Sequence, residues 1–233
     1  MNNILSTPKN LQVIYEDNHI IVVNKRSGDI VQGDKTGDTP LSEVVKEYIA
    51  IKYNKPGAVY LGVVHRLDRP TSGIVVFART SKALPRLNKA FAERQTQKTY
   101  WALVRNPPPT ESGTLRHFLK RNPKQNKSYA HKNEVPDSKE AILDYRIIKK
   151  LKTFYLLEID LHTGRHHQIR AQLSAIGCAI KGDLKYGYDK SNEDGSISLL
   201  SRKLTLIHPV KKEEMTFVAN VPEGDALWKA FTV

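Results

Sequence analysis

The chain has 233 residues, 39% of them hydrophobic and 26% charged, a composition that suits a globular protein with a sizeable core. Lys+Arg number 37 against 24 Asp+Glu, a formal net charge of +13 that favours a polyanionic partner. One cysteine, Cys178, excludes an intrachain disulfide and a thiolate metal site, and the lack of any long apolar run excludes a spanning helix and a signal peptide, so a soluble, cytoplasmic protein is expected.

In chain order, Leu11 to Tyr15 and Ile20 to Asn24 read as strands around the polar turn Glu16-Asp17-Asn18. Thr39-Pro40-Leu41 opens a helix, with Thr39 as cap and Pro40 at its first position, whose apolar stripe is Leu41, Val44, Val45, Tyr48 and Ile49. Val59 to Val64 and Ile74 to Ala78 are short β-rich runs on either side of a polar turn. Thr80-Ser81 caps a helix with Leu84, Leu87, Ala90 and Phe91 inward, and Pro85 falls in its first turn. Thr99 to Val104 is apolar on both faces, as a central strand is, and Pro107-Pro108-Pro109 ends it. Ala141 to Ile148 and Phe154 to Leu161 form a strand pair around Lys149 to Lys152. Thr163 to Ile176 follows as a helix stopped by Gly177. Ser191 to Ser198 is the expected mobile loop, Leu204 to Ile207 and Met215 to Ala219 a closing hairpin, and Ala226 to Phe231 a terminal helix. These elements predict a single α+β domain over residues 1–233, built on an extended, mainly antiparallel (mixed) sheet with flanking helices.

The turn His65-Arg66-Leu67-Asp68-Arg69-Pro70-Thr71-Ser72-Gly73 sets one carboxylate between two guanidinium groups, on a frame of buried strands. Such a carboxylate stays ionised and is held still, as a reactive group must be. The same residues also suit an Asx-turn in which Asp68 only caps backbone N–H groups. Between Arg116 and Lys132 lie Arg116, Lys120, Arg121, Lys124, Lys127 and Lys132 with no acidic residue, interleaved with Phe118, Tyr129, His117 and His131. Positive charge mixed with stacking rings suits RNA better than lipid, although a solvated, flexible hairpin has the same composition. In Thr163 to Ile176 the apolar stripe is Ile169, Leu173 and Ile176, and Arg170 sits at its solvent boundary and requires an anion, a carbonyl or a carboxylate. His65, His117, His131, His162, His166, His167 and His208 lack metal-helix spacing, and adjacent His166 and His167 point to different faces of a helix, so no metal is expected.

His65-Arg66-Leu67-Asp68-x-x-Thr71-Ser72-Gly73 resembles the active-site signature of the RluA-type pseudouridine synthases. Lys98-x-Tyr100-x-Ala102, Thr163-Gly164-Arg165-x-His167-Gln168-Ile169-Arg170 and Gly182-Asp183-x-x-Tyr186-Gly187 are similar to further segments of that family. With Glu16 to Lys25, which resembles the start of its catalytic domain, the likeness spans roughly residues 13–221. The resemblance implies the pseudouridine synthase catalytic fold and isomerisation of uridine in ribosomal or transfer RNA, with base flipping and without a cofactor. It implies Asp68 as catalytic carboxylate, Arg170 as its partner and Tyr100 as a base-stacking, proton-handling residue, although Tyr100 also fits a plain core position. His65, Arg66, Arg69, Thr71, Arg165, Gln168 and Leu173, with Lys120 and Arg121, are the expected RNA contacts, and Arg66 fills the vacated stack. A monomer without a required protein partner is expected. Gln172 stands where the family has His, and Arg26 where it often has Pro. About a dozen residues precede the first strand, too few for the S4 domain that some members carry. A non-catalytic RNA-binding or ribosome-assembly protein, or a hydrolase using Asp68 with His65, is the rival reading.

Overall fold

The computed structural model describes residues 4–232. In chain order these form β1 (Val13–Glu16), β2 (Ile20–Lys25), α1 (Leu41–Lys52), β3 (Gly62–Val63), β4 (Ser72–Ala78), α2 (Ala83–Ala92), β5 (Gln97–Val104), β6 (Ser112–Asn122), β7 (Lys127–His131), β8 (Lys139–Lys150), β9 (Tyr155–Leu161), α3 (Gln168–Ala175), β10 (Leu199–Ile207), β11 (Glu214–Val218) and α4 (Ala226–Thr232). Contacts gather them into two compact units, one from the residues up to Gln97 with Ser201–Gly224, the other from Lys98–Leu200 with the residues from Asp225 on.

In the first unit the strand order is β1-β2-β4-β10, with β3 on β4 and β11 on β10. The β2–β4 ladder is antiparallel from Ile20↔Ala78 to Lys25↔Gly73. Every residue of both strands is buried, which explains their unbroken apolar runs. Ile21, Val23, Val75 and Phe77 pack on Leu41, Val45 and Ile49 of α1, and Leu67 of the polar turn joins the same cluster. Pro40, not Thr39, is the cap of α1, and no side chain caps it. The reason is local: the Leu41 and Ser42 N–H groups donate to the carbonyls of Ile30 and Val31. The run Val59 to Val64 yields only the two-residue β3, though Val59, Leu61 and Val63 still pack on the core.

In the second unit the order is β5-β9-β8-β6-β7, each described pairing antiparallel. The basic stretch is therefore a hairpin, ordered by its alternation: Leu115, His117 and Leu119 are buried while Arg116 and Arg121 are exposed. Helix α3 begins five residues later than its pattern predicts, because His167 takes a left-handed φ of 54°. His166 and His167 thus do not diverge around a helix. Their rings stack, 3.8 Å between centroids. Gly177, at φ 78°, ends α3 as expected.

Candidate active site

The turn after β3 is held from several sides. Leu67 anchors it in the core. The His65 ring stacks on Phe91 at 4.7 Å, and its Nε2 accepts the Val76 N–H of β4 at 3.1 Å. His65 thereby replaces a strand carbonyl just where β3 stops. The Asp68 carbonyl accepts the Thr71 N–H at 3.0 Å, closing a four-residue turn with Asp68 at its first position. Gly73, at φ +112°, allows the following strand to run against β10, since a Cβ there would lie 2.3 Å from the Ser201 carbonyl oxygen.

Beneath this turn lies Lys25, at the end of β2 and 1% exposed. Its ammonium donates to the carbonyls of Arg26, Arg69 and Thr71 at 3.0, 3.1 and 2.8 Å. Gly28 N–H donates to Arg69 O and Ser27 Oγ to Pro70 O. Burial pushes the Lys25 ammonium down to about 7, a fall opposed by the carboxylates of Asp29 and Asp68. Nothing in the sequence reading pointed to Lys25. The available signal was a lysine at the end of a strand that opens with the apolar run Ile20 to Val23.

The flanking residues sort differently. Arg66 is exposed and Asp68 half-buried. The Arg69 guanidinium reaches Asp38 at 2.7 Å and Thr36 at 2.9 Å, both on an exposed loop. Thr71 is buried, and its hydroxyl has no hydrogen-bond partner among the described residues.

In the second unit, Tyr100 lies on β5 opposite Ile159 and is mostly buried. Gln168 faces inward: its Oε1 accepts from Thr163 Oγ1 and Arg165 N, and its Nε2 donates to Ile142 O. Leu173 is fully buried. Both were expected among the RNA contacts, and both serve the interior of this unit. Arg165 donates through Nε to Glu140 O. Gln172 takes up the family's histidine position inside the core, where its Nε2 donates to Leu115 O and Ala141 O and ties α3 to β6 and β8. Lys120 is 3.9 Å from Asp137, and Arg121 is exposed near the tip of the hairpin.

Arg170 departs from its expected place at the solvent boundary of α3. It is 5% exposed, because the residues after the helix cover it: Nε donates to Asp183 Oδ2 at 2.7 Å and Nη2 to Asp183 Oδ1 at 2.9 Å. Its guanidinium carbon lies 4.9 Å from the centroid of the Tyr186 ring. Asp183 and Tyr186 belong to the segment Gly182 to Gly187, which resembles a family segment and supplies none of the expected site residues. His167 beside them is pushed down to about 2 by burial and by the charge of Arg170, so its imidazole is neutral at any working pH. Among the described residues no group of three or more His, Cys, Asp or Glu side chains converges as a metal ion would need, and no helix is long and apolar enough to cross a membrane.

The family model for RNA pseudouridylate synthase matches residues 19–175. A protein of Chlorobaculum parvum named as an uncharacterized RNA pseudouridine synthase is 33% identical over 235 residues, covering 91% of this chain and 71% of its own length. The ribosomal large subunit pseudouridine synthase D of Zymomonas mobilis is 32% identical over 223 residues, covering 91% and 70%. The solved structure of human RNA pseudouridylate synthase domain containing 4 shares the fold, with a TM-score of 0.75 at 22% identity over 91% of this chain and 89% of that one. Since the Asp68 turn, the Tyr100 strand and the Arg170 helix all fall inside one family match, the chain belongs to the RNA pseudouridylate synthases, isomerases that modify RNA.

Proposed function

We propose that Asp68 is the carboxylate through which this isomerase turns specific uridines of structured RNA into pseudouridine, with Arg170 as its orienting partner. In the reaction the C1′–N1 bond breaks, the freed uracil turns, and a C1′–C5 bond forms; C5 gives up its proton and N1 takes one. Atoms and electrons balance within the substrate and its protons, so the step calls for no redox partner or nucleotide. Asp68 attends the sugar and base as nucleophile or base. Tyr100 supplies a flat face for the pyrimidine and a hydroxyl for proton handling. A uridine stacked in a helix is out of reach of any side chain, so the nucleotide is flipped out and the Arg66 guanidinium fills the gap.

The observation that carries this reading is the mounting of Asp68: an ionisable group at the head of a turn pinned by the Leu67 anchor and the Lys25 ammonium. A side chain that only capped a loop would need no such support. Lys120, Arg121, Lys124 and Lys127 on the β6–β7 hairpin present a basic edge for the RNA backbone. Relatives named for the large ribosomal subunit favour ribosomal over transfer RNA as the substrate. The enzyme works in the cytoplasm as a monomer and without a protein partner, in keeping with an activity that one chain supplies.

Mapping pseudouridines in ribosomal and transfer RNA from cells with and without this protein tests the proposal. Loss of one or a few defined pseudouridines, restored by the wild-type protein and not by Asp68→Asn, is the expected result. Identical maps would return the chain to the reading as a non-catalytic RNA-binding protein, and free uracil or a cut strand would favour hydrolysis.

A further inference from the structure

Directly opposed residues of an antiparallel ribbon point to the same side, so the register of β6 with β7 sorts the side chains of the hairpin into two faces. Leu119↔Ala130 and Arg121↔Ser128 share one face, and Leu119 and Ala130 pack there with Ala171 of α3 and Tyr186. The other face carries Phe118↔His131, Lys120↔Tyr129 and Asn122↔Lys127. Phe118 and His131 are half-buried, whereas Tyr129 stands out to 40% exposure. Its ring is nonetheless held. The hydroxyl donates to Gln125 Oε1 at the hairpin tip, and the Lys127 ammonium lies 5.4 Å from the ring centroid. A ring fixed in advance loses little freedom when a ligand settles on it. Lys120, directly across from Tyr129, lies 3.9 Å from Asp137, an exposed pair that is weak enough to yield to a polyanion. Arg116, further along the same face, is taken up by Glu140. An exposed ring between ammonium groups suits a ligand that is both anionic and flat. In a chain that acts on RNA, that ligand is a nucleotide whose base is unstacked, because a base inside a continuous helix has both faces covered by its neighbours.

We propose that Tyr129 is a stacking platform for one unpaired base of the RNA substrate, with Lys120 and Lys127 on the adjoining phosphates. The substrate is then an RNA that offers a loop, a bulge or a single strand where it meets the β6–β7 hairpin. The inference rests on the reading of this hairpin as an RNA contact. It goes further in assigning the recognition of unpaired structure to one ring on one face, where charge alone would hold single and double strands alike.

The test titrates the purified full chain with two fluorescent probes, a single-stranded oligouridylate and a blunt RNA duplex of equal length, over a series of salt concentrations, with thermal melting alongside. Losing one stacked base costs about 5- to 100-fold in affinity, so Tyr129→Ala and Tyr129→Leu are each expected to weaken the single strand by about fivefold or more and the duplex by less than about twofold. Tyr129→Phe keeps the ring and is expected to bind both probes within about threefold of wild type. Leucine preserves apolar bulk for the fold, so a loss shared by alanine and leucine belongs to the ring. Stacking releases no counterions, and the slope of log affinity against log salt is expected to stay unchanged in the Tyr129 variants. Lys120→Gln with Lys127→Gln is expected to flatten that slope by about 1.4, at about 0.7 for each phosphate contact. A flattened slope in the lysine variant, with single-strand affinity intact in Tyr129→Ala and Tyr129→Leu, overturns the platform and leaves the hairpin as an RNA contact. An unchanged slope in the lysine variant overturns the hairpin contact and the platform with it. Equal losses for single strand and duplex in the Tyr129 variants overturn the choice of unpaired RNA.

Discussion

Replacing Lys25 by methionine removes one buried ammonium and keeps the volume of its stem. Its Nζ donates to the carbonyls of Arg26, Arg69 and Thr71, and Arg69 O retains the Gly28 N–H when Lys25 is gone. Two carbonyls lose a donor outright, at about 1–3 kcal/mol each, so a loss of about 2–6 kcal/mol at pH 7 is expected. The dependence on pH is more telling. The folded chain releases this proton near pH 7 and the unfolded chain near 10.5. Between those values the unfolded state binds more protons, so wild-type stability climbs with pH, by at most about 1.4 kcal/mol per pH unit. It is fully gained above 10.5 and lost as pH falls towards 7. From about pH 7 to about pH 9 the gain is about 2 kcal/mol, and methionine has none of it. Urea unfolding followed by circular dichroism at these two pH values therefore gives a gap between wild type and variant that widens by about 2 kcal/mol. Parallel stabilities at both values would mean that Lys25 holds its proton as firmly in the fold as in the unfolded chain, and would refute the reasoning.

Two further expectations concern the sheet and the basic edge. Gly73→Ala puts a Cβ 2.3 Å from Ser201 O at a φ of +112°, so it is expected to destabilise the first unit by more than about 2 kcal/mol in the same urea assay; wild-type stability would contradict the close approach. Arg121→Gln with Lys124→Gln is expected to flatten the dependence of log affinity for RNA on log salt by about 1 to 2, at roughly 0.7–0.9 per phosphate contact. An unchanged slope would place the RNA elsewhere.

Much of the scaffold could be read before any coordinates. Ile20 to Val23 and Ile74 to Ala78 are apolar throughout because both faces are covered, and the stripe from Leu41 to Ile49 marks α1 because one face is. What escaped depended on residues distant in the chain. Leu115, His117 and Leu119 alternate as a strand should, yet the basic residues around them suit a solvated, flexible hairpin equally well until the pairing of β6 with β8 is known. The start of α3 was misplaced because nothing local announces that His167 adopts a left-handed turn. Arg170 looked half-solvated because periodicity along one helix cannot reveal that Asp183 and Tyr186 fold over it. Lys25 was passed over for the same reason, since a lysine at a strand end ordinarily reaches solvent. The turn around Asp68 stands out in the sequence because it combines reactive groups with an unusual turn.

The central claim is that the Asp68 carboxylate performs the isomerisation. Tritium release from C5-labelled RNA, measured on wild type and Asp68→Asn with RNA affinity checked in parallel, tests it most directly. The account predicts release by wild type and none by Asp68→Asn, with RNA bound equally by both. Turnover by Asp68→Asn at the wild-type rate would contradict it.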